Sequence, residues 1–240
     1  MKLTDFKALT FDCYGTLIDW ETGMFEGLKP LTSRPGFNLS RDEILEAHAR
    51  HESSQQLQTP SMLYRNLLPI VYRRLAEEWG FSVSWEECVA YGGSVKNWPA
   101  FPDSAEALHY LKKHYKLVIL SNVDNESFAA SNDKLQVEFD AVYTAEDAGS
   151  YKPSDRNFDY MLKKLETIGV GKQEVLHTAE SMFHDHGPAN RHDLASCWIY
   201  RRHDQQGFGA TMNPGEMPHY NFQFNSMADL VKVHQETSRV

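Results

Sequence analysis

Five short apolar runs divide this chain. Residues 8–11, 117–120, 141–144, 174–178 and 196–200 are rich in β-branched or aromatic side chains, and polar or turn-forming residues bound them. They are predicted to be strands. Between the later runs apolar positions recur at helical spacing, which predicts helices over Ser104 to His114, Asn157 to Ile168 and roughly Gly187 to Asp193. Strand and helix in alternation imply an α/β fold, with a parallel sheet flanked on both faces by helices. Phe222-Gln223-Phe224 predicts an added edge strand, and Met227 to His234 a terminal helix.

The first crossover departs from this rhythm. More than 80 residues separate Leu17 from Asp103, far beyond an ordinary βα connection. Ser40-Arg41-Asp42-Glu43 and Ser84-Trp85-Glu86-Glu87 both have the form of a capping box, with Ser at the N-cap and Glu three residues on. From Met62 to Trp79, Leu63, Leu67, Ile70, Val71, Leu75 and Trp79 fall at helical spacing. The insertion is therefore expected to be a helical cap domain over residues 18–98, set into a core of residues 1–17 and 99–240. The proline-flanked stretch Asn97 to Asp103 suits the return hinge, because prolines stop helices and stiffen the chain.

The composition narrows the function classes. The chain has 240 residues, 41% of them hydrophobic, enough for one sizeable core or a core with a smaller domain. A net charge of -9 argues against non-specific nucleic-acid binding and against attraction to an anionic membrane. No apolar run is long enough to span a bilayer, and Met1 to Lys7 lead directly into the first strand without a signal-peptide pattern. Three widely spaced cysteines, Cys13, Cys88 and Cys197, fit reduced thiols, so a cytoplasmic protein is expected.

The candidate chemistry sits at the predicted strand ends. Asp12 closes the first apolar run, in Ala8-Leu9-Thr10-Phe11-Asp12-Cys13-Tyr14-Gly15-Thr16-Leu17. In an open α/β sheet ligands bind at such tips. Thr16 can donate a hydrogen bond to Asp12 or to substrate, whereas strand alternation turns Cys13 to the other face. Ser121 and Asn122 follow the second run and offer a hydroxyl and an amide to a substrate carboxylate. Lys152, in Tyr151-Lys152-Pro153, suits neutralisation of Asp12 and of a developing oxyanion. Glu180 and Asp185 follow the fourth run. His177, His184, His186 and His192 cluster there too, but their spacing matches no zinc signature.

Together these four stretches resemble the four motifs of the haloacid dehalogenase (HAD) superfamily of hydrolases. Asp12-Cys13-Tyr14-Gly15-Thr16-Leu17 looks most like its L-2-haloacid dehalogenase branch. The resemblance implies a Rossmann-like core with Asp12 as covalent nucleophile, Lys152 as its charge partner, and Asp185 orienting Lys152 and activating water. Tyr14 stands where phosphatases of the superfamily carry a second aspartate as general acid. Its presence implies a leaving group, such as halide, that needs no proton. Glu180 points the other way. That position is usually a small hydroxyl residue in the dehalogenases and acidic in the metal-dependent phosphatases. Phe158 also replaces a tyrosine common among the dehalogenases. The family's halide-stabilising arginine implies a cap cation, for which Arg50 is the candidate.

The leading expectation is thus hydrolytic dehalogenation of a short 2-haloalkanoic acid, a small carboxylate substrate, without a cofactor. Glu180 is expected beside Lys152, and Arg201 and Arg202 on the surface. A Mg²⁺-dependent phosphatase or another HAD hydrolase, with Asp12, Glu180 and Asp185 as ligands, stays open as the alternative. So does a non-catalytic binding protein on the same scaffold. The resemblance also carries the expectation of a homodimer.

Overall fold

Six parallel strands pair in the order β3-β2-β1-β4-β5-β6 in the computed structural model, which describes residues 1–238. They are β1 (Ala8–Phe11), β2 (Lys116–Ser121), β3 (Ala141–Thr144), β4 (Val175–Ala179), β5 (Ala195–Ile199) and β6 (Phe222–Phe224). β1 is central, with all four residues buried, because it pairs with β2 on one side and β4 on the other. The order reverses at β1, and the crevice at such a reversal is where open α/β sheets bind ligands.

The alternation along the strands sorts their side chains onto two faces. Leu117 and Ile119 join one apolar cluster with Leu108, Leu111 and Leu230. Val118 and Leu120 point the other way, onto Phe158, Met161 and Leu165. The covering helices are α5 (Ser104–Leu111) and α10 (Met227–Thr237) on the first face and α8 (Asp155–Thr167) and α9 (Gly187–Arg191) on the second.

The long crossover holds α1 (Trp20–Thr32), α2 (Arg41–Gln58), α3 (Tyr64–Glu78) and α4 (Trp85–Gly92). Both sequence capping boxes form: the Ser40 and Ser84 hydroxyls accept from the backbone N–H groups of Glu43 and Glu87. The entry and return segments pair antiparallel, with Asp19 N–H donating to Pro99 O and Phe101 N–H to Leu17 O. Apolar packing runs unbroken from the sheet through Ile18, Trp20 and Trp98 into the inserted helices.

Polar contacts also cross the seam between insert and core beside the Lys152 loop. The Arg65 backbone N–H and guanidinium donate to the two carboxylate oxygens of Asp124, at 2.8 and 2.7 Å. The Tyr151 hydroxyl donates to Met62 O.

Two elements depart from the sequence expectation. α1 forms despite Pro30, because Asp19 accepts from Thr22 N–H to start it and Trp20, Met24, Leu28 and Leu31 bury one stripe. The second is α6 (Asn125–Leu135), whose Ser- and Asn-rich sequence has no helical stripe beyond Phe128 and Leu135. Asp124 caps it by accepting from Ser127 N–H. The residues expected in the other helices are helical, with ends shifted by one to three residues.

Trp98, on the return segment, is buried against Gly23 of α1 and packs edge-on to Tyr14 with ring centroids 5.7 Å apart. A Cβ at Gly23 would come within 2.3 Å of Trp98 Cγ. Gly23→Ala is therefore expected to cost about 1–3 kcal/mol of stability through overpacking. Urea unfolding checks this, and an unchanged midpoint would show that the return segment yields without strain.

Candidate active site

The tips of β1, β2 and β4 bring three functional groups together. Asp12 continues the β1 ladder, its N–H donating to Thr178 O at 3.1 Å, and only 5% of the residue is exposed. Lys152, 1% exposed, reaches in from the loop between α7 (Ala145–Ala148) and α8. Its Nζ donates to Asp12 Oδ1 at 2.9 Å, Asp185 Oδ1 at 2.7 Å and Leu120 O at 2.9 Å. An ammonium has three protons, and these acceptors take all of them.

Burial and the Asp185 charge push the Asp12 pKa up, while Lys152 and the Thr16 hydroxyl pull it back. Thr16 Oγ1 donates to Asp12 Oδ2 at 2.9 Å and accepts from Glu180 N–H at 2.9 Å. Asp185 lies in a turn of π-helix, Met182–His186. Burial would raise its pKa, but Lys152 and His177 hold it well below the carboxylate range. Lys152 itself stays protonated, because the two carboxylates outweigh the cost of burying it.

The histidine that touches Asp185 is His177, not His184 or His186. His177 Nε2 lies 2.9 Å from Asp185 Oδ1, and its Nδ1 is 2.8 Å from Thr10 Oγ1 on the paired strand. An ionised Asp185 accepts from Nε2–H, which leaves Nδ1 to accept from the Thr10 hydroxyl. Phe158 packs edge-on against the His177 ring at 5.1 Å, behind the site and not in the cleft. His186 is bonded to Ala179 O and Ser196 Oγ, and His184 Nδ1 to Ser181 Oγ.

Asn122 holds the backbone of Lys152 at both ends: its Nδ2 donates to Lys152 O, and its Oδ1 accepts from Lys152 N–H, at 2.9 and 2.7 Å. Ser121 is buried, and its Oγ has no hydrogen-bond partner among the described residues. The Tyr14 hydroxyl donates to Ser127 O and contacts Ser131 Oγ at 2.7 Å, and burial pushes its pKa well above the ordinary value. Its proton is therefore unavailable to a leaving group near neutral pH.

Four expectations are corrected. Arg50 does not reach the site; it is exposed and forms a two-bond ion pair with Glu78 on α3, at 3.0 and 2.8 Å. Glu180 makes no hydrogen bond to Lys152. Its backbone bonds to Thr16, and its carboxyl group lines a neighbouring pocket with Glu21, Trp20 and Arg202. Burial, then Glu21 and Asp12, push the Glu180 pKa up to about 8. Arg202 is buried, not superficial, and pairs with Glu21 at the start of α1. Arg201 donates to Thr16 O and to Asp103, which fixes the nucleophile loop from below.

The trio expected to hold Mg²⁺ does not converge. Both Asp12 carboxylate oxygens are engaged, and Glu180 turns towards Arg202. Among the described residues, no three His, Cys, Asp or Glu side chains are grouped to hold one metal ion.

A cleft of about 420 Å³, counting its open mouth, covers this centre. Asp12, Tyr14, Asn122, Lys152, His184 and Asp185 line the core side, while Glu52 and Gln56 of α2 and Tyr64 of α3 line the side of the insert. None of these three was singled out in the sequence, and His177 stood out there only as one of four clustered histidines. Glu52 and Gln56 lie in a wholly polar stretch, Arg50 to Gln56, that carries no motif; only the fold places them. The lining contains no arginine, and its one lysine is saturated by its partners.

Comparison with known proteins fits this geometry. The sequence profile of haloacid dehalogenase-like hydrolases matches residues 6–178, and the chain belongs to that family. No curated protein sequence matches it. Several solved structures share the fold. The L-2-haloacid dehalogenase PA0810 superposes with a TM-score of 0.75 at 21% identity, covering 97% of this chain and 99% of that one. L-2-haloacid dehalogenase from Xanthobacter autotrophicus with chloropropionic acid covalently bound gives 0.76 at 19% identity, covering 96% and 98%. The putative HAD-hydrolase YfnB from Bacillus subtilis bound to magnesium gives 0.73 at 15% identity, covering 96% and 99%.

The buried acid Glu180 ties stability to pH. Its pKa is about 8 when folded against an ordinary 4.5, so the folded protein binds more protons across that window. Stability is therefore greatest below about 4.5 on this account and is lost as pH rises to about 8. Glu52, raised to about 7, adds a similar loss that is complete sooner. Glu180→Gln is expected to flatten the fall in melting temperature between pH 7 and 8.5. An equally steep fall in the variant would mean that Glu180 is ionised in the folded protein at neutral pH.

Proposed function

We propose that this protein is a metal-independent hydrolase that works through an aspartyl ester on Asp12, with short 2-haloalkanoic acids as its substrates. The observation that carries this reading is the combination of a Lys152-paired Asp12 with a Tyr14 whose hydroxyl is engaged by Ser127 O and Ser131 Oγ. The structure with chloropropionic acid covalently bound, on the same fold, supports it.

In the first step an Asp12 carboxylate oxygen attacks C2 of the substrate, a C–O bond forms, and halide leaves with the C–X electron pair and inversion at carbon. The substrate carboxylate is assigned to Ser121 Oγ, which has no hydrogen-bond partner among the described residues and lies at the β2 tip just behind the cleft lining. In the second step a water gives a proton towards Asp185, whose Oδ2 has no partner among the described residues, and attacks the ester carbonyl carbon of Asp12. Lys152 and Thr16 stabilise the oxyanion. Collapse breaks the bond from the Asp12 carbonyl carbon to the alkoxide oxygen, that oxygen takes the proton back from Asp185, and Asp12 is regenerated as the 2-hydroxy acid leaves. On this reading residues 18–98 are a cap that excludes water from the first step.

A second reading rests on the absence of a free cation in the cleft lining. An ester with an oxygen leaving group would not require one for halide.

Asp12→Asn is expected to abolish turnover and keep the fold, and single-turnover hydrolysis in ¹⁸O water is expected to place label in Asp12. Label found only in the product of that turnover would falsify the aspartyl ester. Lys152→Ala is expected to lower kcat by about 10²-fold or more, whereas a change confined to KM makes Lys152 a binding residue. Halide release from 2-chloropropionate is expected to survive EDTA. Release that stops with EDTA and returns with Mg²⁺ overturns the metal-independent reading.

A further inference from the structure

The inserted helix α2 buries an unusual face. His48, Glu52, Gln55 and Gln56 are all shielded from solvent, and Glu52 is only 4% exposed. Glu52 and Gln56, one turn apart, line the cleft opposite Asp12 and Lys152. A carboxyl group in that place is costly unless something compensates it. Among the described residues no lysine or arginine pairs with it; its basic neighbour is His48, with Nδ1 3.9 Å from Glu52 Oε2.

We propose that the Glu52 carboxyl group is the hydrogen-bond donor from the insert to the atom that Asp12 displaces from the substrate. This role rests on the aspartyl-ester reading and supplies what the core lacks, since Tyr14 gives its hydrogen bond to Ser127 and the cleft offers no free cation.

The surroundings favour the protonated form of Glu52 up to about pH 7. Burial pushes its pKa up to about 7, against a smaller opposing effect of the Tyr64 hydroxyl beside it. The other groups around it are His48 and His51 on α2, Tyr64 on α3, Tyr91 on α4 and Tyr151 next to Lys152, with Asp12, His184, Lys152 and Asp185 across the cleft. Burial keeps His48 neutral, with a pKa of about 3, and the same cause takes His184 to about 4. His51 is paired with Glu78. The three tyrosines are raised above their ordinary range by burial. Across the cleft Asp12 differs from Glu52 in its partners: Lys152 and the Thr16 hydroxyl both donate to Asp12, whereas no cation pairs with Glu52 among the described residues.

Two departing groups share this chemistry. A halide leaves with the C–X pair and accepts a hydrogen bond, while Glu52 keeps its proton. With an alkyl ester, Asp12 attacks the alkyl carbon, the bond from that carbon to the acyloxy oxygen breaks, and Glu52 gives its proton to the departing acyloxy group. Hydrolysis of the Asp12 ester then releases the alcohol and one proton, which passes by way of Asp185 to Glu52.

The test measures pH–rate profiles of wild type, Glu52→Gln and Glu52→Ala with 2-chloropropionate and with an unactivated alkyl ester. Wild-type kcat/KM is expected to fall above about pH 7. For the haloacid, Glu52→Ala loses about 10²-fold, whereas Glu52→Gln recovers to within about tenfold and lacks the fall above pH 7, because an amide still donates. For the ester, Glu52→Gln is as poor as Glu52→Ala, a loss on the order of 10²–10⁴, because an amide transfers no proton. A fall that persists in Glu52→Gln, or a Glu52→Ala variant as fast as wild type, overturns the role. Bromide binding, followed by tryptophan fluorescence at pH 6 and pH 8.5, separates this role from the reading beneath it. Bromide held more tightly at pH 6 by wild type, and equally at both pH values by Glu52→Gln, sustains the donor even if neither substrate is hydrolysed. Binding insensitive to both changes overturns it.

Discussion

One buried ammonium organises this protein. Lys152 Nζ gives its three protons to Asp12, Asp185 and a strand carbonyl, and so fixes the tips of β1, β2 and the segment after β4 around a single point. Without it, two carboxylates would face each other in a site from which water is largely excluded. Their repulsion would raise both pKa values or drive the loops apart. With it, the neighbouring details have a reason. Asn122 grips the Lys152 backbone so that the chain cannot retract the charge, and His177 settles the orientation of Asp185.

The sheet was legible because each strand is a short β-rich run closed by turn residues. The runs at 8–11, 141–144 and 222–224 coincide with the strands, and the other three differ by one residue at each end. Asp12, Lys152 and Asp185 were legible as a set because each follows a strand or a punctuated loop, and the fold brings them within hydrogen-bond distance. The polar residues of α2 were not legible. A helix that buries His48, Glu52 and Gln56 on one face has no apolar stripe, so its sequence reads like a solvated one. Arg50 failed as a cap cation for the same reason: a step of one or two residues along α2 separates exposed Arg50 from buried Ala49 and Glu52, and spacing alone did not say which face turned inward. α6 was hidden by a cap and by tertiary packing that override weak propensity.

Glu180 illustrates how one residue can match a motif and still serve another purpose. Its backbone N–H supports Thr16, which supports Asp12, while its side chain joins Glu21 and Arg202 where α1 meets the segment after β5. The acidic side chain that suggested a metal ligand belongs to the junction between insert and core.

That junction has a partner on the opposite flank, where Arg65 clamps both oxygens of Asp124 and Tyr151 bonds to Met62. Asp124 also starts α6, and Tyr151 is the residue before Lys152, so the seam is wired to the same loops that position the chemistry. A molecule too large for the mouth of the cleft enters only when this seam parts, and parting it loosens the neighbours of the nucleophile. The packing of the insert and the placement of the ammonium are therefore not independent: a substitution at the seam is felt at Lys152 through residues that never touch it.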